Sequence, residues 1–369
     1  MIVSILGAGQ LGRMLALAGA PLGLRCRFLD PTPNSPAADV GEQIVAAYDE
    51  PDALARLIAD AAVTTYEFEN VPAPTAAYLE RHGHVFPPSR ALQIAQDRVL
   101  EKEFFRALGV ETPPFAAVDA EPDLAGAAAR IDTPCVLKTR RMGYDGKGQI
   151  VLRDPRAAGA AWRTLGGQPL ILEGFVPFER ELSIIAVRSR TGETAFYPLV
   201  QNEHRSGILF QSIAPAPGLT PALQAEAEAI AGAALDALRY VGVLVIELFE
   251  VSGRLLVNEM ACRVHNSGHW TIDGADTSQF ENHLRAILGM PLGSTAPRAP
   301  SVMLNLVGSV PPLGDLLADR ALRLHLYAKQ PRPGRKLGHL TITDPDPASL
   351  AQRVARARAL VEAATVLSA

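Results

Sequence analysis

Cysteine is scarce in this 369-residue chain: Cys26, Cys135 and Cys262 stand far apart, odd in number and without a C-x-x-C pair. That excludes a disulfide framework and a cysteine-rich zinc site, and it points to a reduced, cytoplasmic setting. Charge of one sign is not in excess. A formal net charge of −4 leaves no electrostatic footprint for a nucleic-acid partner. No apolar run approaches the roughly 18 residues of a membrane span. No basic segment precedes the first apolar run, and Arg13 and Pro21 interrupt residues 11–24, which argues against a secretory leader. Internal repeats and low-complexity segments are absent as well. What remains is ordinary: 48% hydrophobic and 20% charged residues, enough chain for two or three domains with cores of their own.

Residues 1–90 alternate strand and helix. "IVSIL" is a short apolar run suited to a buried parallel strand. Leu11, Leu15 and Ala18 recur at helical spacing over 10–20, and "RCRFLD" is the next strand. After the Pro-rich loop "PTPNSPA", residues 50–61 read as a helix capped by Asp49 or Asp52. "AVTTYEFENV" is a further strand whose end carries Glu67, Glu69 and Asn70. The unit is a small doubly wound α/β domain. Within it Gly7, Gly9 and Gly12 spell G-x-G-x-x-G, and Asp30 closes the second strand, so an NAD enzyme is one reading.

"PPSR" then breaks the chain. One helix runs through 91–109 to a cap at Gly109. Strand, glycine-rich loop and strand span 134–152; strand, break and strand span 169–189; an amphipathic helix covers 222–242. A hairpin over 243–260 turns at Ser252-Gly253. Residues 296–369 hold short strands, the turn "KQPRPGRKLGH" and a last helix rich in Ala and Arg.

Several clusters carry chemistry. Lys138 ends a strand, and Gly143, Gly146 and Gly148 follow, a combination that lets backbone N–H groups and a point charge approach phosphate oxygens. The P-loop spacing is absent, and a plain exposed hairpin is the alternative. Glu173 to Val176 end a strand and can frame an adenine edge, with Glu181 placed for ribose hydroxyls; a strand pair with surface glutamates is the competing reading. Glu247 sits in the apolar strand "VLVIELF" and needs a partner. A three-residue turn over 252–254 sets it opposite Glu259, where two carboxylates call for a cation such as Mg²⁺. A two-residue turn puts them on opposite faces. "NEMACRVHNSGHWT" packs Arg263, His265, Asn266, Ser267 and His269 together. The four-residue spacing of the histidines invites a zinc reading, which Gly268 and the lack of a third ligand oppose. Arg332, Arg335, Lys336 and His339 gather on the C-terminal turn, as an anion site or a solvated basic loop.

"GAGQLGRM", "YEFENV", "GYDGKGQ", "NEMACRVHNSGHWT" and "GRKLGH" occur together in one order and spacing. On these segments the whole chain resembles the ATP-grasp enzymes and, within them, the 5-(carboxyamino)imidazole ribonucleotide synthases of purine biosynthesis. One departure is Cys262, where the family commonly has proline. The resemblance implies an α/β ATP-grasp fold in three parts: a Rossmann-like domain (1–92), a two-lobed ATP-grasp domain (93–295) and a small β-rich C-terminal domain (296–369).

It also implies a site. Arg98, Lys138 and the loop Gly143, Tyr144, Asp145, Gly146, Lys147, Gly148 and Gln149 hold the phosphates of ATP, with that loop as lid. Glu173, Gly174, Phe175 and Val176 frame the adenine, Glu181 takes the ribose, and His204 lies close by. Glu247 and Glu259, with Asn258 beside them, bind Mg²⁺. 5-Aminoimidazole ribonucleotide sits between Gly9, Gln10, Leu11, Glu67 and Tyr144 on one side and Arg335 and Lys336 on the other. Bicarbonate lies near Arg263, His265 and Asn266; these three and Lys336 form the catalytic set, with His265 or Glu67 as base. The implied reaction is an ATP-dependent carboxylation through carboxyphosphate, in a cytoplasmic homodimer with no membrane or nucleic-acid partner.

Overall fold

A computed structural model describes residues 1–143 and 146–367. Tyr144 and Asp145, both expected at the nucleotide, lie outside the described residues. Three sheets organise the described chain.

The first contains β1 (Ile2–Leu6), β2 (Arg25–Asp30), β3 (Glu42–Val45) and β4 (Ala61–Tyr66), parallel and ordered β3-β2-β1-β4. β1, IVSIL, lies between β2 and β4 and is buried from Val3 onward. Two boundaries differ from expectation. The strand ends at Tyr66, so Glu67 and Glu69 belong to the loop beyond it. The following-strand junction shortens the helix of 50–61 to Pro51–Ile58, with Ala59 already extended in ψ. Neither Asp49 nor Asp52 caps it: Glu50 is the N-cap, without a side-chain bond, and Pro51 at the first position has no N–H to satisfy.

The second sheet is β5 (Phe115–Val118), β6 (Cys135–Thr139), β7 (Gln149–Leu152) and β8 (Leu170–Gly174), antiparallel, ordered β5-β8-β6-β7. The third runs from β9 (Arg180–Arg188) through β10 (Thr194–Phe196), β11 (Val200–Arg205), β12 (Ile208–Ala214), β13 (Gly242–Val251), β14 (Arg254–Ala261), β15 (Ser301–Val307) and β16 (Leu322–Leu326) to β17 (Lys336–Thr343). Its order is β14-β13-β9-β11-β12-β15-β17-β16, with β10 on β9. Because β12 pairs with β15, this sheet crosses the expected boundary at 295/296. The C-terminal strands extend the large sheet of the middle region. The break at Pro177 is where the chain leaves one sheet for the other, and this places a cleft between them.

The single helix expected over 91–109 is two, Ser89–Ala95 and Arg98–Ala107. Asp97 separates them and caps the second by accepting from Val99 and Leu100 N–H. Gly109, at φ +74, ends it as expected. All three thiols are buried and unpaired. Burial pushes Cys26 and Cys262 up to about 12 and raises Cys135. A thiolate reagent at pH 8 is therefore expected to leave the native protein unlabelled and to titrate three thiols in guanidinium. Rapid native labelling at Cys262 would contradict this packing.

Candidate active site

The centre of the site is a register fault. The hairpin turn holds two residues, Ser252 (φ +51) and Gly253 (φ +74), and pairs Val251 with Arg254. By strict alternation that turn sends Glu247 and Glu259 to opposite faces. A bulge intervenes: Leu248 opposes Val257 while Glu247 opposes Glu259, so Asn258 is the extra residue. The two carboxylates therefore face each other as expected, for a reason other than the three-residue turn.

Their protonation differs. Burial and the Glu259 charge push Glu247 up to about 7. Glu259, which burial alone would raise, is held down at about 2 by Arg98, whose Nη1 donates to Oε2 at 2.7 Å. A buried pair like this, with one member reluctant to ionise, fits a cation. Asn258 Oδ1 beside it is buried and has no protein partner. Among the described residues, no three His, Cys, Asp or Glu side chains converge as a metal cage. That donor set suits Mg²⁺, which takes one or two carboxylates and completes its shell with phosphate and water.

Lys138 Nζ lies 2.8 Å from Glu173 Oε2, and buried Lys102 is 3.8 Å from the same oxygen. Burial alone would raise Glu173, but Lys102 and Lys138 hold it at about 2. Its carboxylate therefore orients Lys138. Gly174 and Phe175 donate their N–H groups to the carbonyls of Pro114 and Pro134. With these N–H groups taken, Gly174 can meet a base only through its carbonyl, and Phe175 through its carbonyl and ring. Glu181 accepts from His204 Nδ1 at 2.8 Å; burial lowers the pKa of His204, but that bond and the Glu247 charge raise it overall.

The polar segment 263–269 divides. Arg263, His265 and Asn266 line the cleft. Arg263 Nη2 lies 3.1 Å from Glu69 Oε2. His265 Nδ1 accepts from the Ser267 N–H and contacts the Ser267 hydroxyl at 3.0 Å, which leaves Nε2, 3.5 Å from Glu247 Oε1. Burial, then Arg263, keeps this ring neutral by lowering its pKa well below the usual value. His269 points elsewhere, fully buried with its ring 4.8 Å from that of His339. The pair His265/His269 therefore holds no zinc. His339 is likewise inside the sheet, not on the basic turn.

At the opening motif the chain's own carboxylates fill the glycine turn. Glu67 accepts from Gly9 N at 2.8 Å and Gly12 N at 2.9 Å, and Asp30 accepts from Ala8 N at 3.0 Å. A Cβ on Gly7, at φ +96, meets Glu67 Cγ at 2.8 Å. Three of the N–H groups that would meet a pyrophosphate, those of Ala8, Gly9 and Gly12, are taken by carboxylates, so Gly9 serves Glu67, and this carboxylate-filled turn opposes the NAD reading. Both Glu67 oxygens are engaged too, and burial raises its pKa.

One cavity of about 730 Å³ gathers these parts. Gln10, Leu11, Glu67 and Glu69 come from the first domain. Arg98, Gly143, Lys147, His204, Glu247, Glu259, Arg263, His265 and Asn266 come from the middle, and Lys329, Arg332, Arg335 and Lys336 from the end. Lys138, Gly146, Gly148, Gln149, Glu173 to Val176, Glu181 and Asn258 lie outside its lining.

Residues 103–280 match the family pattern described as the ATP-grasp domain. Residues 1–96 match the ribonucleotide synthetase preATP-grasp domain, and 301–353 the phosphoribosylaminoimidazole carboxylase C-terminal domain. The N5-carboxyaminoimidazole ribonucleotide synthase of Pseudomonas aeruginosa is 53% identical over 363 residues, 98% of this chain and all of that protein. The chain belongs to the N5-carboxyaminoimidazole ribonucleotide synthase family. The synthetase crystal structure from Thermus thermophilus is 56% identical with a TM-score of 0.94, covering 98% of both chains. The Aspergillus clavatus synthase solved with ADP and 5-aminoimidazole ribonucleotide is 29% identical with a TM-score of 0.90, again over 98% of both chains.

Sequence reasoning for this family member missed Lys329, whose Nζ donates to Gln10 Oε1 across the cleft. It also missed the ion pairs of Glu69 and Lys102 and the bond that Glu101 accepts from Met260 N–H. Lys102 had a signal: it falls between Val99 and Phe105 on the buried helical face, where a lysine is costly without partners.

Proposed function

We propose that the chain carboxylates the exocyclic amine of 5-aminoimidazole ribonucleotide with bicarbonate and ATP, releasing ADP and phosphate. The observation that carries this is the single cavity joining phosphate-holding cations, a cation-ready carboxylate pair, an arginine–histidine–asparagine group and a basic turn.

Arg98, Lys138 and the 143–149 loop hold the triphosphate, and Glu181 with His204 receives the ribose. Glu247 and Glu259 would hold Mg²⁺, which would supply neutralisation of phosphate charge. Arg263, anchored by Glu69, orients bicarbonate through its guanidinium fork. A bicarbonate oxygen attacks the γ-phosphorus and ADP leaves, giving carboxyphosphate. The amine nitrogen then attacks the activated carbon, phosphate departs, and the amine loses a proton. Neither expected base is set to take it: in the neutral His265 ring Nδ1 accepts from the Ser267 N–H, so Nε2 carries the proton and donates towards the cleft, and both Glu67 oxygens already accept backbone N–H groups; the departing phosphate takes the proton. Closure of the 143–149 loop excludes water from the labile intermediate.

The ribonucleotide lies between Gln10, Leu11 and Glu67 and the turn carrying Lys329, Arg335 and Lys336. Lys336→Ala is expected to raise the KM for the ribonucleotide about tenfold or more, about 1.4 kcal/mol, with ADP affinity unchanged. Equal loss of both counts against this placement. The direct test of the reaction is ADP release with bicarbonate or ribonucleotide omitted in turn. Release that is indifferent to both omissions overturns it. A homodimer and a cytoplasmic setting complete the proposal on the strength of the family resemblance, and light scattering reads the first.

A further inference from the structure

The helix Arg98–Ala107 grips the bulge. Arg98, Glu101 and Lys102 share one face at i, i+3 and i+4, and that face meets β14, the edge strand of the large sheet. Glu101 Oε1 accepts from Met260 N at 2.6 Å. Lys102 Nζ donates to the carbonyls of Asn258 and of Val257, the latter at 3.3 Å, and pairs with Glu173. Two of the ammonium's three N–H groups meet these carbonyls, and Glu173 at 3.8 Å is an ion-pair contact beyond hydrogen-bond distance. Both side chains are almost wholly buried, at 2% and 0% exposure. Burying such charges is unfavourable unless their geometry is used.

The backbone they hold is that of the extra residue and its flanks. We propose that Lys102, assisted by Glu101, is a positioning residue that stabilises the bulge at Asn258 and so keeps Glu259 opposite Glu247. The inference rests on the reading of those two carboxylates as the Mg²⁺ pair. Without the bulge, the alternation of the strand turns Glu259 to the other face of the sheet. The same ammonium ties this strand to Glu173 and, through it, to Lys138. One buried lysine thus links the cation end of the site to the phosphate lysine on the other sheet.

Lys102→Met keeps the length of the side chain and removes its charge. Two readouts apply: the Mg²⁺ concentration that half-activates ADP release, and ADP binding by calorimetry with and without Mg²⁺. The midpoint is expected to rise about 10-fold or more, and metal-free ADP affinity to change by less than about 3-fold. Lys102→Arg, which restores the charge, is expected to recover part of the shift. A folded Lys102→Met protein with the wild-type midpoint overturns the inference, as does equal weakening of ADP with and without the metal. Should the Met variant not fold, Lys102→Gln, which keeps two N–H donors, is expected to shift the midpoint by an intermediate amount; no shift overturns the inference. Glu259→Gln is measured alongside. If it leaves the Mg²⁺ dependence intact, the metal reading itself fails; if it abolishes that dependence while Lys102→Met does nothing, only the positioning role fails.

Discussion

Glu259→Gln is expected to lower bicarbonate-dependent ATP turnover by about 100-fold, equivalent to about 2.7 kcal/mol of transition-state stabilisation. The substitution is isosteric and keeps a hydrogen-bond acceptor for Arg98. What it removes is charge. Glu259 is the carboxylate that Arg98 holds ionised, at about 2, while Glu247 opposite is pushed up to about 7. Loss of Glu259 therefore removes the committed negative charge and leaves the reluctant one. Metal-free ADP binding should survive, because Lys138 and its Glu173 partner are untouched. Turnover within a few-fold of wild type, in a protein with an unchanged melting temperature, refutes the assignment of the pair as the cation site.

Arg263→Lys should cost about 100-fold in kcat/KM for bicarbonate, a loss in the range seen when a single oriented donor is removed from an active site. Lysine retains the charge and so keeps Glu69, 3.1 Å away, from being stranded. It loses the planar fork that matches a carbonate-like anion at two points. ADP affinity should stay unchanged, since Arg263 pairs with Glu69 and not with Lys138 or Glu173. A change below about threefold would mean that Arg263 serves only to anchor the loop at Glu69.

Most of the fold was legible because its signals are local. Apolar runs of strand length, glycine and proline punctuation, and a cap at Gly109 each act within a few residues. The limits of that view appear where long-range pairing decides. Helix 91–109 reads as one element because its periodicity continues through Gln96 and Asp97. It is two because the Asp97 carboxylate also accepts from Arg140 and Arg141, some forty residues away. The glycine fingerprint reads as a nucleotide loop because a strand, a glycine turn and a helix N-terminus favour an anion. That anion turns out to be Glu67, brought there by β4 lying beside β1.

By itself the sequence determined the class of fold, the family, and the identity of nearly every charged group in the cleft, since these follow from residue type, spacing and order. Only the tertiary structure decided which groups face one another. Glu247 meets Glu259 because a bulge at Asn258 offsets a two-residue turn, and turn length and bulge are choices of the whole sheet and of the helix packed on its edge. His269 and His339 left the site for the interior, and Lys329 and Lys102 joined its machinery, for the same physical reason. A side chain's charge is written in its own residue, but its partners come from strands and helices distant in the chain.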